Sequence, residues 1–302
     1  MKTGTLYIGM IFISLLQACG QDSKSIEIHR FDTLAGEIDT LTVENLVTKQ
    51  NHIDPEGSDL QTRILTPKGF HRTMLHDSSF EKYLRLLPLK PHNSEVAHYD
   101  GSTKANYEIY DAVVDLKIGT KDLHQCADAI MRLRAEYLWN QKEFEKIHFN
   151  FTNGFRVDYT EWMKGKRLII KGNSIYWSGP GNPSNTYNDL WKYLELIFSY
   201  AGTLSLSKEL KPAEIDDVQI GDIFIQGGSP GHAIIVVDMA VNSQTKEKIF
   251  LLAQSYMPAQ EIQLLKNPND EMISPWYSTD FGNDLHTPEW TFTKYDLKRF
   301  EE

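Results

Sequence analysis

The stretch Gly221–Asp238, GDIFIQGGSPGHAIIVVD, constrains the fold more than any other part of the chain. Two apolar runs, Ile223–Ile225 and Ala233–Val237, stand on either side of Gly227, Gly228, Ser229, Pro230 and Gly231. Apolar, β-branched runs around a glycine–proline loop predict two buried strands joined by a tight connection. His232 opens the second strand, and the loop before it lacks bulk, so substrate backbone can come close to its imidazole. The loop formally fits G-x-S-x-G, the serine-hydrolase elbow. That elbow needs a helix after the serine and uses the following N–H as an oxyanion donor. Here the following residue is Pro230, which has no N–H, and a strand comes next. Ser229 is therefore set aside as a nucleophile. His232 remains as a general base that needs a thiol from elsewhere.

The chain has two cysteines, Cys19 and Cys126. Lys2 followed by an apolar run from Leu6 to Leu16, too short for a comfortable spanning helix, predicts a targeting segment over residues 1–18. Leu16-Gln17-Ala18-Cys19 resembles a bacterial lipobox, which implies cleavage before Cys19, a lipid on that residue and a place in the cell envelope. Cys126 is then a lone thiol in an exported protein: a free reactive group, or an inert cysteine packed as a small hydrophobe. Residues 19–60 are polar and without apolar period, the pattern of a tether. A single α+β domain is expected over 61–302, with a flank at 61–119, a core at about 120–260 and an aromatic tail at 270–300. The formal charge of −10 lacks the basic footprint of a nucleic-acid binder.

Periodicity predicts a helix over about Lys121–Phe144, with a stripe of Leu123, Ala127, Ile130, Leu133, Tyr137 and Leu138. A second helix is expected from Tyr187 to Ala201, capped by Asn185 or Thr186 and ended by Gly202. Ser79–Leu84 opens a short helix, Ile64–Phe70 and Tyr107–Ile118 suit strands, and Phe149–Tyr187 suits loops and hairpins. Ile249–Gln254 should pair with Ala233–Val241 through the polar turn Asn242–Lys248. Cys126 falls near the start of the first helix, where free N–H groups and the dipole lower a thiol pKa. With a start at Lys121, though, it would already lie in the second turn.

Gln125-Cys126-Ala127-Asp128 ahead of a long helix is similar to the cysteine motif of CHAP amidases and endopeptidases, which belong with the NlpC-type peptidases. Gly221-Asp222-Ile223, then Gly231-His232-Ala233-Ile234-Ile235-Val236, resembles that group's glycine–aspartate and histidine strands, in the same order. Gln254, in Leu251-Leu252-Ala253-Gln254-Ser255, falls where such enzymes carry a polar orienting residue. The resemblance implies a papain-like core, an antiparallel sheet packed against the cysteine helix. Two features depart from it: the interval from Cys126 to His232 is long, which implies an insertion, and the third residue is Gln rather than Glu, Asn or His. Over its whole length the chain also resembles a family of bacterial lipoproteins of unknown function.

The reading that follows is a cysteine peptidase or amidase acting on cell-wall peptides. Cys126 is its nucleophile, His232 its base and Gln254 its orienting group. Gln125 is an oxyanion-hole donor, with Ser229 and Gly231 against the substrate. No cofactor or metal is expected. The alternative is a non-catalytic envelope lipoprotein of the same fold that binds wall peptide or a partner protein. His71, His76, His92, His98, Asp100 and His286 show no compact ligand spacing. Asp128, Arg132 and Glu136, at i, i+4 and i+8, read as a surface ion-pair ladder, and Asp222 as a turn cap.

Overall fold

The long hairpin predicted from residues 221–254 is the spine of a nine-stranded sheet in which every pairing is antiparallel. The computed structural model describes residues 51–172 and 174–301. The leader, Cys19 and the tether as far as residue 50 lie outside them. The sheet strands are β1 Phe70–Arg72, β2 Tyr110–Val113, β3 Lys211–Pro212, β4 Ile223–Gln226, β5 His232–Asn242, β6 Lys248–Gln254, β7 Gln263–Leu265, β8 Tyr277–Ser278 and β9 Leu297–Arg299. Their order is β2-β7-β6-β5-β4-β9-β3, with β1 added to β5 and β8 to β6.

β5 is long enough to serve two neighbours on one edge. Its first residues pair with β4, from Gln226 opposite His232 to Ile223 opposite Ile235. Its last pair with β1, from Arg72 opposite Ala240 to Phe70 opposite Asn242. β6 does the same on the other side, with β8 at its start and β7 at its end. The nine residues from His232 to Ala240 are all buried, as a strand covered on both faces must be.

The flank is tied to this spine by charge. Asp238, wholly buried on β5, takes Arg72 Nε and Arg85 Nε at 2.6 Å each, one on either carboxylate oxygen. Arg85 also donates to the Thr73 carbonyl at 2.8 Å. Packing begins earlier than the expected boundary at residue 60: Leu60 is fully buried and Asp59 caps the short helix Leu60–Arg63.

The cysteine helix spans Cys126–Asn140, not Lys121–Phe144. Its true start is marked by Asp128, whose carboxylate accepts the Gln125 N–H at 3.0 Å. Nor is it an amphipathic surface helix. It packs across β5, and Asp128, Arg132 and Glu136 are buried along with its apolar residues. The expected surface ladder is thus an interior network. Arg132 Nε donates to Glu136 at 2.8 Å, its Nη1 donates to the Lys117 carbonyl at 2.9 Å, and its guanidinium lies over the Trp191 ring.

The second helix runs Tyr187–Tyr200 with Thr186 as its cap. Gly202 does not merely end it: a further helix, Thr203–Glu209, starts there, with the Gly202 N–H on Ser205 Oγ at 3.0 Å. Ile64 makes only an isolated bridge to Ile53, and the strand of that region is Phe70–Arg72. Phe149–Tyr187 contributes the hairpins His148–Asn150 with Arg156–Asp158 and Leu168–Lys171 with Ser174–Trp177, and also a helix, Tyr159–Met163. The aromatic tail adds β8 and β9 to the sheet and buries Trp276, Tyr277 and Phe292.

Candidate active site

Cys126 is the first residue of its helix, and the backbone of Ala127, Ala233 and Cys126 itself favours its thiolate. Ala233 follows His232 on β5. The crossing of helix and strand therefore brings the thiol to the head of the histidine strand. Cys126 and His232 line the same open cleft, of about 820 Å³. The candidate residues Gln125, Ser229 and Gly231 line it too.

Strand parity supplies the third member. Ala253 stands opposite Ile235, so Gln254 shares a face with Ile234 and lies diagonal to His232. Gln254 Oε1 is 2.7 Å from His232 Nε2. The ring is walled by Tyr256, Trp290 and Phe292, with centroids 4.7, 5.4 and 5.9 Å away. Gln254 Nε2 in turn donates to Glu289 Oε2 at 2.6 Å. Glu289 holds Lys104 Nζ at 2.8 Å from both its oxygens, and Lys104 reaches Gln260 Oε1 at 3.1 Å.

The electrostatics differ from the expected lowering of the thiol pKa. Cys126 is only 7% exposed; burial, with the nearby Asp128 carboxyl adding to it, pushes its thiol up to about 11 against the backbone hydrogen bonds. Burial pushes His232 down to about 4, partly offset by Gln254. It also pushes Asp128 up to about 8. Near neutrality the resting site holds a thiol and an uncharged imidazole in one cleft.

Gln125 precedes the helix, but one proton of its side-chain amide goes to Asp122 Oδ1 at 3.1 Å. The loop before His232 is packed against itself. A Cβ on Gly231 would stand 2.6 Å from the Gly228 carbonyl oxygen and from Thr203 Oγ1. Asp222 accepts the Gln219 N–H at 2.9 Å, as a turn cap should, and is also clamped by Arg299 at 2.6 Å. His71, His76, His92 and His286 are exposed, and among the described residues no three His, Cys, Asp or Glu are grouped to hold a metal.

Sequence reasoning missed Thr203, Leu204, Tyr256, Met257 and Trp290 along the cleft, and Lys104 and Glu289 behind it. None carries a local signal, since they come from segments far apart in the sequence: the start of helix Thr203–Glu209, the stretch after β6, the aromatic tail and the flank. The site and fold define a mixed α/β protein, mostly antiparallel, with a cysteine and a glutamine-bound histidine in one cleft. A family model described as DUF4846, domain of unknown function (4846), matches residues 60–299, and the chain belongs to that family. Neither the curated proteins nor the solved structures hold a match to it.

Proposed function

We propose that this protein is a cysteine hydrolase on a papain-like core, cleaving amide bonds in peptides of the bacterial cell envelope, to which a lipid on Cys19 anchors it. The observation that carries this reading is the convergence of Cys126, at the start of the helix that packs across β5, and the Gln254-bound His232 ring on one open cleft. Gln254 occupies Nε2, which leaves Nδ1 to act on the thiol. As Sγ bonds to the carbonyl carbon, Nδ1 takes the thiol proton. When the carbon–nitrogen bond breaks, the imidazolium returns that proton to the leaving amine. Water then adds to the thioester, releasing a carboxylic acid and restoring the thiol. Because the resting pair is uncharged, proton transfer accompanies attack rather than preceding it.

Among the described residues that line the cleft there is no lysine or arginine. Carboxylates of a wall peptide have no ionic partner there, which favours a segment without them. Hydroxyls, glycine backbone, Asp128 and the side chains of Leu204, Tyr256, Met257 and Trp290 are what it meets.

The test is Cys126→Ala assayed on purified peptidoglycan. Loss of released peptides supports the hydrolase, and equal cleavage by variant and parent removes it. The raised thiol and depressed imidazole favour a second reading, a wall-peptide-binding lipoprotein on this fold. It predicts co-sedimentation with peptidoglycan, unchanged in Cys126→Ala, and no cleavage.

A further inference from the structure

We propose that Glu289, held by Lys104, decides which nitrogen of His232 carries the proton. Both would be positioning residues for the thiol chemistry, an inference that rests on the hydrolase reading above. Gln254 alone leaves the choice open. A side-chain amide has an accepting end and a donating end, and a neutral imidazole has one nitrogen of each kind. Turned one way, Gln254 selects an Nε2–H ring. Turned the other way, it selects an Nδ1–H ring, whose base would point away from the work assigned to it.

Glu289 removes that freedom. Its Oε2 lies 2.6 Å from Gln254 Nε2, and a carboxylate only accepts. The amide must therefore give its NH₂ end to Glu289 and its Oε1 to His232, at 2.7 Å. A ring nitrogen facing an acceptor carries hydrogen, so the ring is the Nε2–H tautomer with its lone pair on Nδ1. Lys104 keeps Glu289 in that role. Its ammonium is 2.8 Å from both carboxylate oxygens, and its side chain is 8% exposed. Lys104 is fixed in turn by Gln260, whose backbone carbonyl accepts His124 Nδ1–H at 3.2 Å and Ser255 Oγ at 2.7 Å. The chain of donors thus runs from the lead-in of the cysteine helix to the far side of the His232 ring. Neither Lys104 nor Glu289 lines the cleft, so their effect passes through Gln254.

Two readouts on the full-length protein test this. Nitrogen-15 NMR of the imidazoles at pH 7 reports the tautomer, with the His232 signals assigned by their loss in His232→Ala. Alkylation of Cys126 by iodoacetamide at pH 8, followed by the mass of the peptide that contains it, reports base assistance. The parent should be Nε2–H. Glu289→Ala should mix the tautomers and slow alkylation by about tenfold or more, a part of the roughly 10²–10⁴-fold that a positioned general base contributes. Glu289→Gln turns an acceptor-only group into one with a donating end, so it should fall between the parent and Glu289→Ala. The double variant Glu289→Ala with Gln254→Glu places an acceptor-only group directly on the ring and leaves Lys104 an anion. It should restore Nε2–H, and it serves in place of the single alanine variant if that one does not fold.

A parent ring that is not Nε2–H overturns the proposal, as does a tautomer and rate in Glu289→Ala equal to the parent's. If the single variant does not fold, failure of the double variant to hold Nε2–H overturns it. The hydrolase reading fails differently: alkylation of Cys126 would be the same in His232→Ala as in the parent, whatever the tautomer.

Discussion

At Cys126 two effects oppose each other. The first turn of a helix and the backbone of Cys126, Ala127 and Ala233 favour a thiolate, while loss of water disfavours it. Burial is the larger, and the thiol sits at about 11. In His232→Ala, where no base assists, alkylation of Cys126 should therefore rise about tenfold per pH unit through the neutral range and keep rising past pH 9, since the thiolate fraction grows in that proportion below the pKa. A plateau near pH 7 in that variant would mean that the sulfur is ionised by its other neighbours. The same desolvation sets His232 low, to about 4, so the hydrolase reading predicts an acid limb near there and not at the ordinary histidine value.

Between the helix and the sheet, the loop Gly227–Gly231 fixes where β5 begins. Gly231→Ala drives a methyl into the Gly228 carbonyl and Thr203 Oγ1, both fixed by the loop. It should destabilise the fold by about 1–3 kcal/mol, the range for overpacking, measured by denaturant unfolding. His124, ahead of the cysteine helix, is fully buried and held down to about 3, mainly by loss of water and then by Arg132. It takes up a proton in the unfolded chain at about pH 6.5 but not in the folded one. Between those values acid favours unfolding at this site, so the His124 contribution to stability should rise with pH from about 3 to 6.5. His124→Asn should flatten part of that slope in a pH series of urea midpoints, and an unchanged slope would assign it to other groups.

These elements were unequally legible. The hairpin, the place of His232 at its head and the parity that brings Gln254 to the ring all follow from alternation and turn chemistry, which are local. The helix start was misplaced because Leu123 fits the apolar stripe, and because a glutamine before Cys126 is not among the usual caps. The helix Thr203–Glu209 was hidden by reading Gly202 as a stop, when Ser205 caps it from inside. Asp128, Arg132 and Glu136 have the spacing of a solvated ladder, and only tertiary packing puts them inside. Lys104 and Glu289 meet from opposite ends of the domain, with no periodicity to link them.

Over the whole molecule, Asp238 is the joint between flank and sheet. Its carboxylate answers two arginines from the flank, Arg85 being itself buried. Asp238→Ala leaves those charges unpaired and should lose about 3–5 kcal/mol, the scale for breaking a buried pair from one side. Chemical denaturation of the variant checks this, and a loss below about 1 kcal/mol would reduce the joint to surface strength.

A cleft with no lysine or arginine among its described lining residues, on a chain of formal charge −10, also governs how dissolved electrolyte acts on capture. Raising potassium chloride from about 10 mM to about 150 mM shortens electrostatic reach from about 30 Å to about 8 Å. An acidic peptide, held off by the protein's overall field, should then associate faster, while an uncharged one should enter at the same rate throughout. A titration of kcat/KM against potassium chloride would thus sort substrates by their own charge before any of them had been identified.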